Sequence, residues 1–406
     1  MVRQASRRAR QAADEDALAR LRAPRMAQGL IGHEQQARQL LEALRGGRIG
    51  HAWLFSGERA LGKATLAFAF ARALLRKAGA CPDDGQDHAV LFDEPDPPPA
   101  TEEREDPVAR LFAWGDDEAL RRHLAEGIEP RALVLDPAES ALVEGGRASQ
   151  QIRVDDVRRI QHFLAMREEA GERRVVLIDD ADLMTTAAAN ALLKMLEEPP
   201  PDVVFLLVVH RLHRLPATIR SRCRQLRFHP VDSTRLADWL AERCREAPAA
   251  DRLAAASLAG GVPGRALILL QDGCLEHYRA LVAAFAQGEE NAAGLAARGR
   301  VIETLAKLEP PRQRLLLELL RALPGRLVRN LLLETAERAG AEDVGLLLEE
   351  EQALRERIAA AGGKTELLHA FRQEIVHRLE EAERLYLDLK AVLWTLLARF
   401  DALMRA

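Results

Sequence analysis

Residues 52–64 read AWLFSGERALGKA, and this stretch decides the fold. Its first four residues form a short apolar run, which is typical of a buried parallel strand. The pattern G-x-x-x-x-G-K follows at Gly57, Gly62 and Lys63, and an alanine- and leucine-rich helix is predicted to continue to Leu75. A preceding strand and a following helix are the context in which this pattern marks a phosphate-binding loop. The glycines let backbone N–H groups approach phosphate oxygens, and Lys63 is expected to reach the β- and γ-phosphates. We therefore predict an α/β domain with phosphate-loop geometry.

The position after the lysine departs from the pattern. A Ser or Thr hydroxyl normally binds Mg²⁺ there, but this chain has Ala64, and Thr65 comes one residue late. One residue is about 100° of helix, so Thr65 does not simply substitute. Two interpretations stay open: a site that binds ATP or ADP, and a vestigial loop retained for folding. Efficient hydrolysis is not expected under either.

Two further strands end in polar residues. The strand predicted over 174–179 ends in Asp179, where a carboxylate could hold the water shell of a metal ion, and Asp180 follows it. The position of Asp180 usually carries a glutamate that polarises the attacking water, so its acid is one methylene short. The alternative is that these acids only cap the next helix. His210 ends the apolar strand over 203–209, where it could sense a γ-phosphate or simply form a strand-end hydrogen bond.

Two arginines are candidates for phosphate contact. Arg222, in Ser221-Arg222-Cys223, is predicted at the rim of the nucleotide-binding domain, where it could reach the phosphates of a neighbouring subunit. Arg265, after Gly264, could touch a bound phosphate from the helical part of the chain. The alternatives are a solvated face for Arg222 and an ordinary helix-start arginine for Arg265. We interpret Cys223 as a small buried hydrophobic residue.

Composition and periodicity divide the chain into segments. The prediction is a flexible arm over 1–25, an α/β core over 26–228 that contains an acidic, proline-rich surface insertion over 79–130, a small helical unit over 229–272 and an all-helical region over 273–406.

The overall composition excludes several classes of protein. The net charge of the 406 residues is -4, so no global positive field attracts nucleic acid, and any DNA contact must be local or shared with partners. The four cysteines form no C-x-x-C pair, which predicts neither a zinc module nor a disulfide framework and favours a cytosolic, reduced protein. No apolar run approaches the roughly 20 residues that span a bilayer, so no membrane association is expected.

Taken together, these segments resemble the delta-prime family of bacterial DNA polymerase III clamp-loader subunits, which are AAA+ proteins. The resemblance is carried by residues 51–54 with the glycine loop over 57–64, and by residues 153–158, 175–200 and 215–223, with a weaker match over 260–267. It implies a RecA-like AAA+ core with a parallel sheet over 26–228, a helical lid over 229–272 and an all-α collar domain over 273–406. It also implies a nucleotide site, in working or vestigial form, made by Gly57, Gly62, Lys63, Thr65, Asp179, Asp180, His210 and Arg265.

The resemblance further implies partners. The collar would hold a hetero-pentameric ring with gamma/tau and delta subunits, and Arg222 would act in trans as an arginine finger at a neighbouring gamma/tau ATPase site. The sliding clamp and primer-template DNA would be contacted through that cytoplasmic complex. Many relatives carry a four-cysteine zinc module after the phosphate loop, but only Cys81 stands there in this chain. Zinc is therefore not expected.

Three hypotheses follow. The first is a stator subunit of the clamp loader, which lacks ATP turnover of its own and completes a partner's site. The second is an ATP-hydrolysing subunit of the gamma/tau type, although such a subunit would be expected to retain the hydroxyl after the lysine. The third, and weaker, hypothesis is an inactive AAA+ adaptor outside replication.

Overall fold

The computed structural model describes ten stretches of the chain: residues 24–47, 49–76, 106–114, 117–137, 151–166, 172–287, 292–337, 348–361, 364–385 and 388–405. The chain divides into two compact units, Met1–Pro230 and Val231–Ala406. The finer boundaries at 228 and 272 stay predictions.

The first unit alternates strands with helices. Its elements are, in chain order, α1 (Glu34–Arg45), β1 (Ala52–Ser56), α2 (Lys63–Leu75), α3 (Pro107–Trp114), α4 (Glu118–Glu126), β2 (Ala132–Leu135), α5 (Val154–Ala165), β3 (Arg174–Ile178), α6 (Thr186–Glu197), β4 (Val203–Val209), α7 (Ala217–Arg220) and β5 (Arg224–Arg227).

The strands form one parallel sheet in the order β2-β3-β4-β1-β5. All residues of β1 and β4 are buried, as expected for central strands covered on both faces. The predicted α/β core with a parallel sheet is therefore confirmed. The strands β3, β4 and β1 are consecutive neighbours, so their carboxyl ends meet at one edge of the sheet. Ligands of open α/β sheets bind at this edge.

The strand β5 lies at one side of the sheet and is charged. Leu226 is buried, whereas Arg224, Gln225 and Arg227 are exposed. The guanidinium of Arg224 lies over the ring of Trp53 in β1, 4.7 Å from the ring centroid. The side chain of Arg224 thus covers this border of the sheet and makes a cation–π contact with β1.

The expectation of a surface insertion over the whole of 79–130 is wrong for its second half. Helices α3 and α4 lie there; α3 packs on α1 and α2 and buries Val108, Leu111 and Phe112. The composition was misleading because the acids and prolines are concentrated before residue 107. When the composition is averaged over the whole segment, it conceals the two amphipathic helices α3 and α4, which follow the acidic part. Residues 77–105 lie outside the described part of the chain.

The predicted flexible arm over 1–25 extends too far along the chain, because Arg25 belongs to the folded unit. Residues 1–23 lie outside the described part of the chain, but the side chain of Arg25 is buried. Its guanidinium donates to the carboxylate of Asp136 at 2.8 Å and to the carbonyl of Ala125 at 3.1 Å. The polar and charged sequence predicted a solvated arm, but its last arginine, Arg25, is paired with the buried carboxylate of Asp136, just after β2.

In the second unit, every element within the described residues is a helix. The helices are α8 (Ser233–Arg243), α9 (Ala249–Ala259), α10 (Pro263–Gln271), α11 (Cys274–Gln287), α12 (Ala292–Ala306), α13 (Pro310–Glu337), α14 (Glu349–Ala360), α15 (Lys364–Leu385) and α16 (Leu389–Arg405). The mostly helical C-terminal region is confirmed. None of the described helices is both long and apolar enough to cross a membrane.

A buried carboxylate joins three helices of this unit. Glu351 of α14 is fully buried and accepts from the Tyr278 hydroxyl of α11 at 2.7 Å and from the Arg326 guanidinium of α13 at 3.0 Å. Paired and hydrogen-bonded in this way, the charge can be retained inside the helical core.

Candidate nucleotide site and rim arginine

The glycines of the phosphate loop, residues 57–63, are required by its backbone. Gly57 has φ of 151°, and a Cβ there would lie 2.6 Å from the carbonyl oxygen of Phe228. Gly62 has φ of 90°, and a Cβ there would lie 2.1 Å from a methyl carbon of Leu30. The backbone carbonyl thus excludes a side chain at Gly57, and the left-handed backbone disfavours one at Gly62. The loop leads from the carboxyl end of β1 into α2, which begins at Lys63.

Lys63 points inward at this loop. The residue is 2% exposed, and its Nζ donates to the backbone carbonyl of Glu58. Burial lowers the pKa of Lys63 to about 8, against the opposing pull of Asp179. The ammonium group therefore remains mostly charged at neutral pH, but burial weakens its hold on the proton. Thr65 is also buried within α2, one residue after the position that normally supplies the metal-binding hydroxyl.

The two acids after β3 differ in their titration. Burial raises the pKa of the Asp179 carboxyl to about 7, and the neighbouring charges of Asp180 and Asp136 add to the effect, although Asp179 keeps some exposed surface. Burial also opposes ionisation of Asp180, but the hydrogen bond from His210 and the charge of Arg59 outweigh it and hold the pKa below its usual value. Asp180 is thus the more fully ionised acid of the pair at neutral pH.

Asp180 is shared by two basic side chains. Nη2 of Arg59 lies 2.9 and 3.1 Å from its two carboxylate oxygens, and Nε2 of His210 lies 2.6 Å from one of them. Arg59 comes from the phosphate loop, Asp180 follows β3, and His210 follows β4. The sheet therefore brings together three segments that are far apart in sequence. A carboxylate held by two donors is a poor proton acceptor.

His210 is positioned by an acid that the sequence did not single out. The carboxylate of Asp182 accepts from the backbone N–H of His210 at 2.9 Å and from that of Arg211 at 3.2 Å. This contact secures the end of β4 against the turn that follows β3. The sequence signal that could have indicated Asp182 is the recurrence of aspartate at positions 179, 180 and 182.

One group of metal-binding type occurs within the described residues. The ligand atoms of Asp179, Asp180 and His210 all lie within 4.8 Å of one another. The donor set fits poorly to the Mg²⁺ of a phosphate loop. Mg²⁺ prefers oxygen ligands, whereas Ala64 supplies none, His210 supplies nitrogen, and Asp180 is already paired with Arg59. The absence of zinc stays a prediction; Cys223, Cys244 and Cys274 are free thiols, and Cys81 lies outside the described residues.

Arg222 lies at the rim of the unit, just beyond α7. Its Nη2 lies 2.6 Å from the carboxylate of Glu197, and its Nη1 donates to the carbonyl of Thr218 at 3.0 Å. The side chain is 35% exposed, so part of the guanidinium surface faces solvent. Burial raises the pKa of the adjacent Cys223 to about 12, which makes a reactive thiolate unfavourable. The site thus has a partly exposed cation beside an inert thiol.

Arg265 belongs to the second unit and lies in the first turn of α10. Its guanidinium donates to the carbonyl of Ala259 at 3.3 Å and lies 3.4 Å from the carboxylate of Glu318. Both partners belong to the same unit. Its contact with a bound phosphate stays a prediction.

The fold and these groups define a class: an α/β protein with a glycine loop after β1, acids after β3 and an arginine at the rim. Residues 122–232, which include β2 to β5 and Arg222, match the family described as DNA polymerase III, delta subunit. A curated relative, the DNA polymerase III subunit delta' of Pseudomonas aeruginosa, is 33% identical over 153 residues. The match covers 38% of this chain and 44% of the relative, so it spans less than half of the relative's length. Both matches support a clamp-loader subunit of the delta-prime type, and the resemblance seen in the sequence is confirmed.

Two solved structures are similar to this chain at low sequence identity. A DNA polymerase III gamma-subunit-related protein from Thermotoga maritima is 18% identical, with 90% of this chain and 100% of that chain covered and a TM-score of 0.36. The RuvB Holliday junction branch migration motor of the same organism is 15% identical, with 79% and 86% covered and a TM-score of 0.38.

Proposed function

We propose that this protein is a stator subunit of a DNA polymerase III clamp loader. It would not turn over ATP itself, and Arg222 would complete the ATPase site of a neighbouring gamma/tau subunit. The observation that carries this proposal is the state of Asp180. The residue that would activate water is held by Arg59 and His210 instead. An acid with its lone pairs engaged and its pKa lowered does not act as a general base.

The rim arginine supports the second half of the proposal. A guanidinium stabilises charge that develops on a transferring phosphoryl group, and it can be supplied by a neighbouring molecule. Arg222 is ordered by Glu197 and Thr218, yet part of it is accessible to a neighbour. The subunit would thus provide a fixed cation without undergoing the reaction.

The partners are part of the same proposal. A stator of this type would assemble in the cytoplasm with delta and gamma/tau subunits into a hetero-pentameric ring, through the helices of its second unit. The ring would then place the sliding clamp on primer-template DNA. The net charge of -4 is consistent with DNA contact through the complex rather than by this chain alone.

ATP hydrolysis by the isolated chain tests the proposal against its alternative, a gamma/tau-type ATPase. The cradle formed by Gly57 and Gly62 favours that alternative, since it is compatible with bound phosphate. We expect no steady-state turnover from the isolated protein. Turnover above about 1 s⁻¹, in the range of competent enzymes, together with its loss in Lys63→Ala, would favour the ATPase instead.

Reconstitution tests the role in the complex. The full chain is combined with delta and gamma/tau subunits, sliding clamp, primed DNA and ATP, and clamp loading is compared with and without this subunit. We expect loading to depend on it. Equal loading without it, or failure to assemble with either partner, would refute the stator function.

A further inference from the structure

We infer that Arg59 takes the place of the divalent cation at this phosphate loop, so that the loop binds a nucleoside diphosphate without Mg²⁺. The inference concerns the chain's own site and goes beyond the stator function. It concerns the binding of nucleotide at this site and requires no hydrolysis.

The first step concerns the usual metal ligands. At position 64 the helix offers a methyl group where a hydroxyl would bind the ion. Asp180, the ionised acid nearest to the loop, accepts two hydrogen bonds from Arg59 and one from His210. A divalent ion could use this carboxylate only by displacing the guanidinium. The carboxylate that would bind the metal ion is therefore already paired with a cation, the guanidinium of Arg59.

The second step concerns the donors that Arg59 retains. Both of its hydrogen bonds to Asp180 are made by Nη2. Within the described residues, Nη1 and Nε of Arg59 make no hydrogen bond, and the side chain is 68% exposed. A guanidinium carries five N–H donors in a planar arrangement that matches phosphate oxygens. Arg59 can thus hold Asp180 with one edge and offer another to a phosphate.

The third step concerns charge. Asp179 and Asp180 stand beside the place where phosphates would lie, and they repel an anion unless a positive charge lies between. In phosphate-loop proteins Mg²⁺ provides this charge. Here Arg59 is paired with Asp180 and belongs to the loop itself, because it lies two residues after Gly57. A guanidinium keeps its charge at all physiological pH values, and it needs no free metal ion.

A competing interpretation gives Arg59 the opposite role. The pair between Arg59 and Asp180 could close the loop, so that nucleotide binds only when the pair breaks. The two interpretations predict opposite effects of removing the guanidinium. If Arg59 binds phosphate, its loss weakens binding without metal; if it closes the loop, its loss strengthens binding.

The experiment measures the affinity of the full chain for ADP by titration calorimetry, once with Mg²⁺ and once with EDTA. For the wild type we expect the two dissociation constants to agree within about twofold. Arg59→Ala should bind ADP at least about tenfold more weakly in EDTA, the loss expected for one charge-assisted hydrogen bond. Mg²⁺ should then restore part of the affinity, since Asp180 becomes available to a metal ion. Arg59→Lys should keep part of the metal-free binding.

A matched control keeps the test falsifiable. Arg45→Ala removes the same charge from the exposed end of α1 and should leave both constants unchanged. The inference is overturned if the wild type binds ADP at least tenfold more tightly with Mg²⁺, if Arg59→Ala binds equally or more tightly in EDTA, or if the wild type does not bind millimolar ADP. None of these results bears on clamp loading, so the stator function is judged separately.

Discussion

The guanidinium of Arg222 lies 2.6 Å from the carboxylate of Glu197, so the rim arginine is held by the last residue of α6. The pair is partly exposed, and such pairs contribute only about 0.2–1 kcal/mol to stability. Its importance is therefore in orientation. Before any partner arrives, the side chain that would enter the neighbouring site already has a defined direction.

Arg222→Ala should leave the fold and assembly of the protein intact but slow ATP-dependent clamp loading. An arginine supplied in trans is worth about 10³ to 10⁵ in rate at one phosphoryl-transfer site, and only the site facing this subunit would lose it. The measurement is the loading rate of the reconstituted complex, with assembly checked by gel filtration. Arg227→Ala, on the exposed face of β5, is the matched control. Equal rates for Arg222→Ala and wild type would refute the trans-acting role.

Glu197→Gln should reduce the loading rate by less than Arg222→Ala does. The amide keeps the shape of the side chain but loses the charge that orients the guanidinium. In the background of Arg222→Ala, the second substitution should change nothing more, because the group that it orients is gone. The neighbouring Glu198→Gln serves as the control. An additive loss in the double variant would show that Glu197 acts on something other than Arg222.

His33 should make stability depend on pH. Its ring is buried, with Nε2 3.1 Å from the Leu61 carbonyl, and packs against Phe228. Burial lowers the pKa of His33 to about 4 from its usual 6.5. Between these values the unfolded chain binds more protons than the folded chain, so stability rises with pH across this window. The protein should thus lose stability between pH 6.5 and 4, by at most about 3 kcal/mol from this residue.

Urea unfolding at pH 4.5 and 7.5 checks this effect. His33→Asn, which tolerates the left-handed backbone at φ of 67°, should reduce the loss of stability at the lower pH. His162→Asn, at an exposed position of α5, should not. If the free energy of unfolding falls equally in His33→Asn and wild type, burial of His33 is not the cause.

Leu111→Ala should destabilise the first unit by about 2–5 kcal/mol, the usual cost of a cavity at a fully buried leucine. Leu111 lies in α3, within the segment whose composition suggested a surface insertion. Thermal unfolding measures the effect, and Ala113→Ser on the exposed face of the same helix is the control. A change in melting temperature no greater than that of the control would mean that α3 does not contribute to the core.

The purified protein should contain no stoichiometric zinc. A structural site needs four Cys or His ligands close together, and the sequence after the phosphate loop offers only Cys81 and the nearby His88. Elemental analysis of protein purified without chelators provides the measurement. One zinc ion per chain would contradict the prediction.

The sequence predicted what local patterns determine. The apolar run before Gly57 and the pattern ending in Lys63 specify a strand, a loop and a helix, because each follows from neighbouring residues. The ends of the strands at Asp179 and His210 followed from the same reasoning, since parallel strands bring their carboxyl ends to one edge.

Pairs of distant charges could not be predicted in this way. Arg59 and Asp180 are 121 residues apart, and Arg25 and Asp136 are 111 apart. Nothing in the local sequence of an arginine indicates which carboxylate the fold will place beside it. The pairing of Arg222 with Glu197, only 25 residues apart in sequence, could not be predicted for the same reason. These contacts decide how the site behaves, so its chemistry was less predictable than its fold.

The charged border strand β5 has a consequence for how copies of the chain can associate. A strand at the side of a sheet exposes unpaired backbone groups on which another strand can add. Arg224 and Arg227 make pairing between two β5 strands unfavourable, because a second copy would bring its own arginines against them. Two copies of the chain are therefore not expected to join their sheets through this border.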